Sequence, residues 1–386
     1  MYCFRSIWFT ALFLAIPGTL PGTLLAQAKD SLMFKGQLSA WTLYNGGLDL
    51  PIYMGGRYIP QINYEIQLQN DRKIDFEASA NINGNFGFQP FDTISSYGTI
   101  KPYRLWGRYS TRQLEVRVGL QKINFGSANL LRPLMWFDEV DPRDPLGLTD
   151  GVWGVLARYY FLNNANLWLW SLYGNEDPRG WDFAGTSMGI PEVGGRFQSP
   201  IPSGEAALSY HYRVSDTRGV NVALPEYAKV RENRIGLDVR VDLVVGAWIE
   251  GSWINSSEDL GVFTNQELIN IGVDYTFGVG SGLYVIFEQL LVAYDQKAFQ
   301  FQNTTNFSLA SVSYPIGIFD NISGIIYYDW DNNNIYNFIN WERTFKHLTM
   351  YLMAYWNPDN YRIPTQETTQ NLYAGRGIQL MFVFNH

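Results

Sequence analysis

Cysteine is almost missing from this 386-residue sequence, and its single copy is Cys3. That excludes a disulfide framework, a thiolate metal site and a catalytic thiol in the body of the chain. Histidine is also scarce, with only His211, His347 and His386, which leaves little material for imidazole chemistry. Charged residues make up 17%, below the usual share of about 25%. After residue 28 no run of 18 uninterrupted apolar residues occurs, so no membrane-spanning helix is expected.

The first 28 residues have their own texture. Arg5, an apolar core over 7–16 and the small-x-small site Ala26-Gln27-Ala28 read as a secretory signal peptide cleaved before Lys29. Pro17, Gly18, Pro21 and Gly22 break that segment too early for it to span a bilayer. Cys3 precedes the apolar core and so cannot serve as a lipoprotein acceptor. Cleavage would leave 27 basic against 36 acidic residues, a formal charge of −9 that disfavours a nucleic-acid partner.

What is abundant is aromatic: Phe, Trp and Tyr form 16% of the chain. Export, many aromatics, few charges and no spanning helix together point to a transmembrane β-barrel. Period-two alternation supports this. Tyr64, Ile66 and Leu68 alternate with Asn63, Glu65 and Gln67, and after Asn70-Asp71-Arg72 the pattern resumes as Ile74, Phe76, Ala78, Ala80 and Ile82. Ile235, Leu237, Val239 and Val241 alternate with Arg234, Asp238, Arg240 and Asp242. A soluble β-sandwich also alternates, but its strands are usually nearer five or six residues. Tight turns, as at 110–112, 162–165, 278–282 and 346–347, alternate here with long connections at 45–57, 84–101, 125–150, 175–191, 216–231, 295–304 and 357–373. The expected fold is therefore an all-β, antiparallel, up-and-down transmembrane barrel over 29–386. Counting from both ends gives about 18 strands, with 16 as the alternative; 18 requires "GGRFQS" and "GEAALSYHYRV" to pair through Pro200-Ile201-Pro202. Tyr103, Tyr109, Tyr210, Tyr212, Trp253, Tyr275 and Trp356 are candidate interfacial aromatics.

If the apolar set faces lipid, Arg104, Arg108, Arg117, Arg158, Arg196, Arg213, Arg234 and Arg240 face inward, because Arg toward lipid at mid-depth costs about 2–4 kcal/mol. Acids such as Asp75, Glu77, Glu115, Glu205, Asp238 and Glu250 are interspersed, so the interior is either a mutually neutralised set or a basic wall that steers anions. The segment "LRPLMWFDEVDPRDPLGLTDGVWG", 131–154, interrupts this texture. Leu131, Leu134, Met135, Trp136, Phe137 and Leu146 need burial, and Pro133, Pro142 and Pro145 stiffen the chain. The sequence reads 126–150 as a loop folded into the lumen, anchored by Trp136 and Phe137. Asp138, Glu139, Asp141 and Asp144 would then oppose Arg104, Arg108, Arg117 and Arg158; an external lid or subunit latch is the alternative.

"GLQKINFGSANLLRP" followed by "WFDEVDPRDP" resembles the strand-plus-loop element of substrate-selective and alginate-export-type porins of Gram-negative bacteria. There a G-x-Q-x-x-x-[WF]-G strand end leads into a Pro- and Asp-rich segment. "GRGIQLMFVFNH", with Leu380, Phe382 and Phe384 on one face, resembles the C-terminal assembly signal of outer-membrane proteins, although Asn385 and His386 follow the last aromatic. The resemblance implies passive diffusion of small hydrophilic solutes, anions among the candidates, through an outer-membrane pore in contact with lipid and lipopolysaccharide, single-chain or homotrimeric, with no cofactor. An adhesin or secretion partner, or a transporter of hydrophobic substrates, is the competing expectation. A Ser209–His211 catalytic pair on one strand is about 7 Å apart, too far for a direct hydrogen bond. "DWDNNN" at 329–334 begins like a calcium loop but has Asn334 where Gly is needed and Asn340 where Glu is needed.

Overall fold

In a computed structural model the chain is described over residues 31–91, 93–220, 224–359 and 372–386. The expected signal segment and most of the 357–373 connection lie outside the described residues. Eighteen strands form one antiparallel sheet in which each pairs with the next and β18 pairs with β1, closing the barrel. The strands are β1 (Ser31–Asn45), β2 (Ile52–Gln67), β3 (Lys73–Phe88), β4 (Ile94–Ser110), β5 (Leu114–Gln121), β6 (Val152–Tyr160), β7 (Asn166–Leu172), β8 (Glu192–Ile201) and β9 (Gly204–Ser215). They continue as β10 (Val230–Asp242), β11 (Gly246–Ser256), β12 (Asn265–Phe277), β13 (Leu283–Asp295), β14 (Thr304–Ile316), β15 (Asp320–Asp329), β16 (Asn334–Thr344), β17 (Leu348–Trp356) and β18 (Arg376–Asn385). Eighteen is the expected count; β8 and β9 form the hairpin that it required, with the turn at Pro202-Ser203 because Pro200 and Ile201 still pair in the ladder.

Alternation does what the sequence demanded of it. Ile74, Phe76 and Ala78 of β3 turn outward, while Asp75 and Glu77 turn in, and Phe382 and Phe384 of β18 are exposed on the outside. Closure pairs backbone groups around the ring, as a membrane-embedded sheet requires. The β2–β3 turn is built on Asn70 and Asp71 at φ 59° and 56°, a left-handed conformation that short polar side chains tolerate.

Three expectations need correction. The connections placed at 45–57 and 84–101 are mostly strand: β2 starts at Ile52, β3 runs to Phe88 and β4 begins at Ile94. Gly55, Gly56, Gly84, Gly87 and Gly98 thin the apolar alternation there, so the sequence signal fades while the ladder continues. Tyr103 is not an interfacial ring. It occupies the bulge opposite Ser79/Ala80, with the Arg104 guanidinium 4.0 Å from its ring.

The inner face is not uniformly polar either. β12–β17 present Leu268, Leu290, Phe307, Leu309, Tyr327, Tyr336, Phe338 and Tyr355, all buried against Leu130, Leu131, Met135, Trp181 and residues 372–374. The ion-paired arginines concentrate on β4–β10, while β13 and β15 add the buried acids Glu288 and Asp329.

Candidate functional site

β5 stops at Gln121, and the next thirty residues leave the sheet before β6 resumes at Val152. What holds this segment is largely main chain. Glu288 of β13 accepts hydrogen bonds from the backbone amides of Asn129 (2.7 Å), Leu130 (3.2 Å) and Leu131 (2.6 Å). Glu250 of β11 accepts from Ala128 and Leu134, both at 2.8 Å. Asn270 of β12 donates to the Leu131 carbonyl at 2.8 Å. Backbone N–H donors partly offset the cost of burying these carboxyl groups where no cation is paired with them, which makes the two glutamates attachment points for the segment. Gly126, at φ +113°, fits because a Cβ there would lie 2.4 Å from the Glu250 carboxylate.

Trp136 and Phe137 are 1% and 3% exposed. The Trp136 indole N–H donates to Ser252 Oγ at 2.9 Å, and its ring meets Phe125 edge-on with centroids 5.6 Å apart. Phe137 packs edge-on against His211 at 4.9 Å and Trp170 at 5.4 Å. Ile123, Leu134, Val152, Leu156 and Leu172 complete this cluster.

Of the four acids, Asp138 accepts from Arg132 at 2.7 Å and Asn124 at 2.9 Å, both within the same segment. Asp141 pairs with Arg143 at 2.6 Å, again within it. Asp144 caps the amides of Leu146 (2.9 Å) and Leu148 (3.4 Å). Burial pushes the Asp144 carboxyl above its ordinary range, against those amides and Arg57, which pull it down. Glu139 is likewise pushed up, first by desolvation and then by Asp150, Asp141 and Asp182.

The arginines find carboxylates on the wall. Arg108 grips Asp75 through two N–H groups (3.0 and 2.6 Å) and also reaches Glu115 at 3.3 Å. Arg117 and Arg158 share Glu115 at 3.0 and 3.6 Å, and the Arg158 guanidinium lies 3.9 Å from the Trp168 ring centroid. Arg196 pairs with Asp238 at 2.7 Å, and Arg240 with Asp242 and Asp274 at 2.9 Å each. Arg213 and Arg234 both bind Asp182 (2.7 Å each) and Glu232 (2.6 and 2.8 Å). Arg104 donates to the Thr149 carbonyl at 2.9 Å. Among the described residues, no ion pair joins Asp138, Glu139, Asp141 or Asp144 to Arg104, Arg108, Arg117 or Arg158. The cations nearest the far end of the segment are Arg57, Lys101 and Arg104; Lys101 is ion-paired with Asp150. Between them lies an open cavity of about 470 Å³, with Arg57, Asn81, Asn83 and Lys101 on the β2–β4 side and Glu139 and Thr149 on the other.

Sequence reasoning missed the 173–191 connection as a structural partner. Arg179 binds Glu192 at 2.7 Å, Asp182 bridges Arg213 and Arg234, and the Trp181 indole N–H donates to the Arg132 carbonyl at 2.8 Å. Its only sequence signal was a lone tryptophan between charged residues. His211 is fully enclosed: its Nδ1 is 3.2 Å from the Trp170 indole N–H, its Nε2 3.0 Å from Glu192, and Ser209 Oγ is held by Arg196.

Solved structures supply the comparison. OpdQ of Pseudomonas aeruginosa superposes with a TM-score of 0.55 at 10% identity, covering 92% of this chain and 98% of that one. OccAB2 of Acinetobacter baumannii gives 0.54 at 12% identity over 92% and 98%. The chain has the fold of the outer-membrane porins. A trimer form of the outer-membrane protein OmpT from Vibrio cholerae also aligns with this porin-type barrel, at a TM-score of 0.51 and 8% identity over 92% and 99%. No family model and no curated protein matches the sequence.

Proposed function

We propose that the chain is an outer-membrane porin through which small hydrophilic solutes diffuse passively, with a preference for anions. Export through residues 1–28, contact with lipid and lipopolysaccharide, and a homotrimeric assembly belong to the same reading. The 126–150 segment is the inward-folded constriction loop, anchored by Trp136 and Phe137. The cavity between it and β2–β4 is the passage. The observation that carries the reading is the charge of the wall facing that loop. On β2–β6, Arg57, Lys101, Arg104, Arg108, Arg117 and Arg158 stand against Asp75, Glu77 and Glu115, while Lys73 and Glu65 cancel each other as a pair, so positive charge is in excess on that wall. Fixed charge at a narrow point sets ion selectivity. The apolar half of the inner face, β12–β17, favours no hydrophobic cargo, because the loop and Trp181 cover it.

Planar-bilayer recording of the purified protein tests this. Discrete conductance steps are expected, with a reversal potential of anion-selective sign in a salt gradient. Arg57→Gln with Arg104→Gln should move that potential toward cations; absence of steps, or no movement, overturns the reading.

A further inference from the structure

The wall of the barrel changes height between two neighbouring strands. β4 contains 17 residues and β5 only 8, and β5 pairs with β4 over Leu105–Ser110 alone. Along Ile94–Arg104, β4 keeps β3 on one side and has no strand on the other among the described residues. A bare edge is not tolerated in hydrocarbon, so this half of β4 stands in water above the bilayer.

The β3–β4 ladder identifies the groups left open along that edge. The Gln89 N–H donates to the Thr93 carbonyl at 3.0 Å, so this pair and every second pair after it are the hydrogen-bonded ones. Ser95, Tyr97, Thr99 and Lys101 therefore direct their backbone groups to β3. Ile94, Ser96, Gly98 and Ile100 turn theirs to the open side, and all four are exposed. Pro102 comes next in that row, where a residue without N–H belongs to an edge. The foot of the edge runs into the cavity of about 470 Å³, which Lys101, Pro102 and Tyr103 help to line. Glu139, Glu176 and Asp177 line the same cavity and have no cation partner among the described residues, whereas Lys101 is paired with Asp150.

From the open edge and the unpaired acids at its foot, we infer that β4 binds a short extended peptide, added as a strand where β5 would have continued. Pairing through the main chain is indifferent to side-chain identity, so the ligand class is short peptides of varied sequence. An antiparallel peptide runs upward as β5 does, which sets its terminal ammonium at the foot, beside Glu139, Glu176 and Asp177. A parallel one would set a carboxylate against those acids. At about 3.3 Å per residue, a hexapeptide starting at Pro102 reaches about as far as Ser96. Onward passage of the peptide rests on the porin reading; its binding needs only the edge and the cavity.

Titration calorimetry of the purified protein in detergent, beside planar-bilayer recording, tests this with the hexapeptide Ala-Ser-Ala-Ser-Ala-Ser. The peptide should bind and interrupt the single-channel current. Methylation of its amide nitrogens should weaken binding about tenfold or more, the loss expected for two or three main-chain hydrogen bonds. Acetylation of its amino terminus should also weaken it, and Glu139→Gln with Asp177→Asn should erase the difference between the free and acetylated peptides. Ser96→Pro with Ile100→Pro removes two edge donors and no β3 bond, so it should cost binding while the current without peptide is kept. No binding, equal binding of the methylated peptide, or indifference to the two prolines overturns the inference. Peptide binding to a protein that gives no conductance steps would sink the pore reading and leave this site standing. Steps that no peptide perturbs, with no heat of binding, would do the reverse.

Discussion

At the scale of single residues, the 126–150 segment hangs on two glutamates. Glu288 serves three backbone amides and Glu250 two. Removing the acceptor leaves buried donors unsatisfied, at about 1–3 kcal/mol each before relaxation. Glu288→Ala should therefore loosen the loop while the barrel still closes. Limited proteolysis within 126–150 should speed up by tenfold or more; unchanged protection would show that the hydrophobic contacts alone suffice. Asp144 and Glu139 argue for a pH effect. Both carboxyls sit above their ordinary pKa in the folded protein, so they take up protons earlier as pH falls than in the unfolded chain. The sign follows: acidification relieves a penalty, and stability contributed at these two sites is lost as pH rises through the raised values. Their negative charge should fade at a pH above the usual carboxylate range, so the anion preference proposed above should strengthen on mild acidification. Reversal potentials recorded against pH check this, and Glu139→Gln with Asp144→Asn should flatten the curve.

Elements show how one connection secures another. Asp182, in the link between β7 and β8, is the carboxylate partner of both Arg213 and Arg234, with Glu232 as the second acid. Breaking a buried ion pair costs about 3–5 kcal/mol because a charge is left behind. Asp182→Asn should free the link from the wall, withdraw Trp181 from the Arg132 carbonyl, and appear as increased flicker in single-channel current. The strands themselves were legible in the sequence wherever one face met lipid, as in β3 and β10, because apolar and polar residues had to alternate. They were not legible where both faces meet water: the upper parts of β2, β3 and β4 mix Gly, Asn and Ser on either side. The burial of Leu134, Trp136 and Phe137 in the loop was legible for a related reason, since side chains of that size and apolarity demand cover. The partners of its acids were not legible. Asp138 and Asp141 bond to Arg132 and Arg143 of their own segment, and spacing along the chain says nothing about which of several nearby cations a carboxylate will choose.

For the molecule as a whole, charge and apolar surface are sorted around the ring. Inner-face arginines stand on β2–β10, while the inner face of β12–β17 is mainly apolar with a few buried acids such as Glu288 and Asp329, and the loop lies against it. Strand number followed from alternating short and long connections, because a chain that starts and ends at the same rim must have an even count. Wall height did not follow, since it depends on where ladder pairing stops, and the sequence does not announce that for β4 and β5.

The attachment of the loop through its backbone has a consequence for how such a protein can change. Glu250 and Glu288 bind peptide groups that residues other than proline all possess, so these hydrogen bonds do not depend on which side chains stand at 128–131, although Leu130 and Leu131 are also needed for apolar packing. Drift in the composition of the loop is thereby separated from drift in its position. A lineage or a protein engineer could retune what the passage admits by rewriting 139–150 alone, with the two glutamates left as fixed pegs.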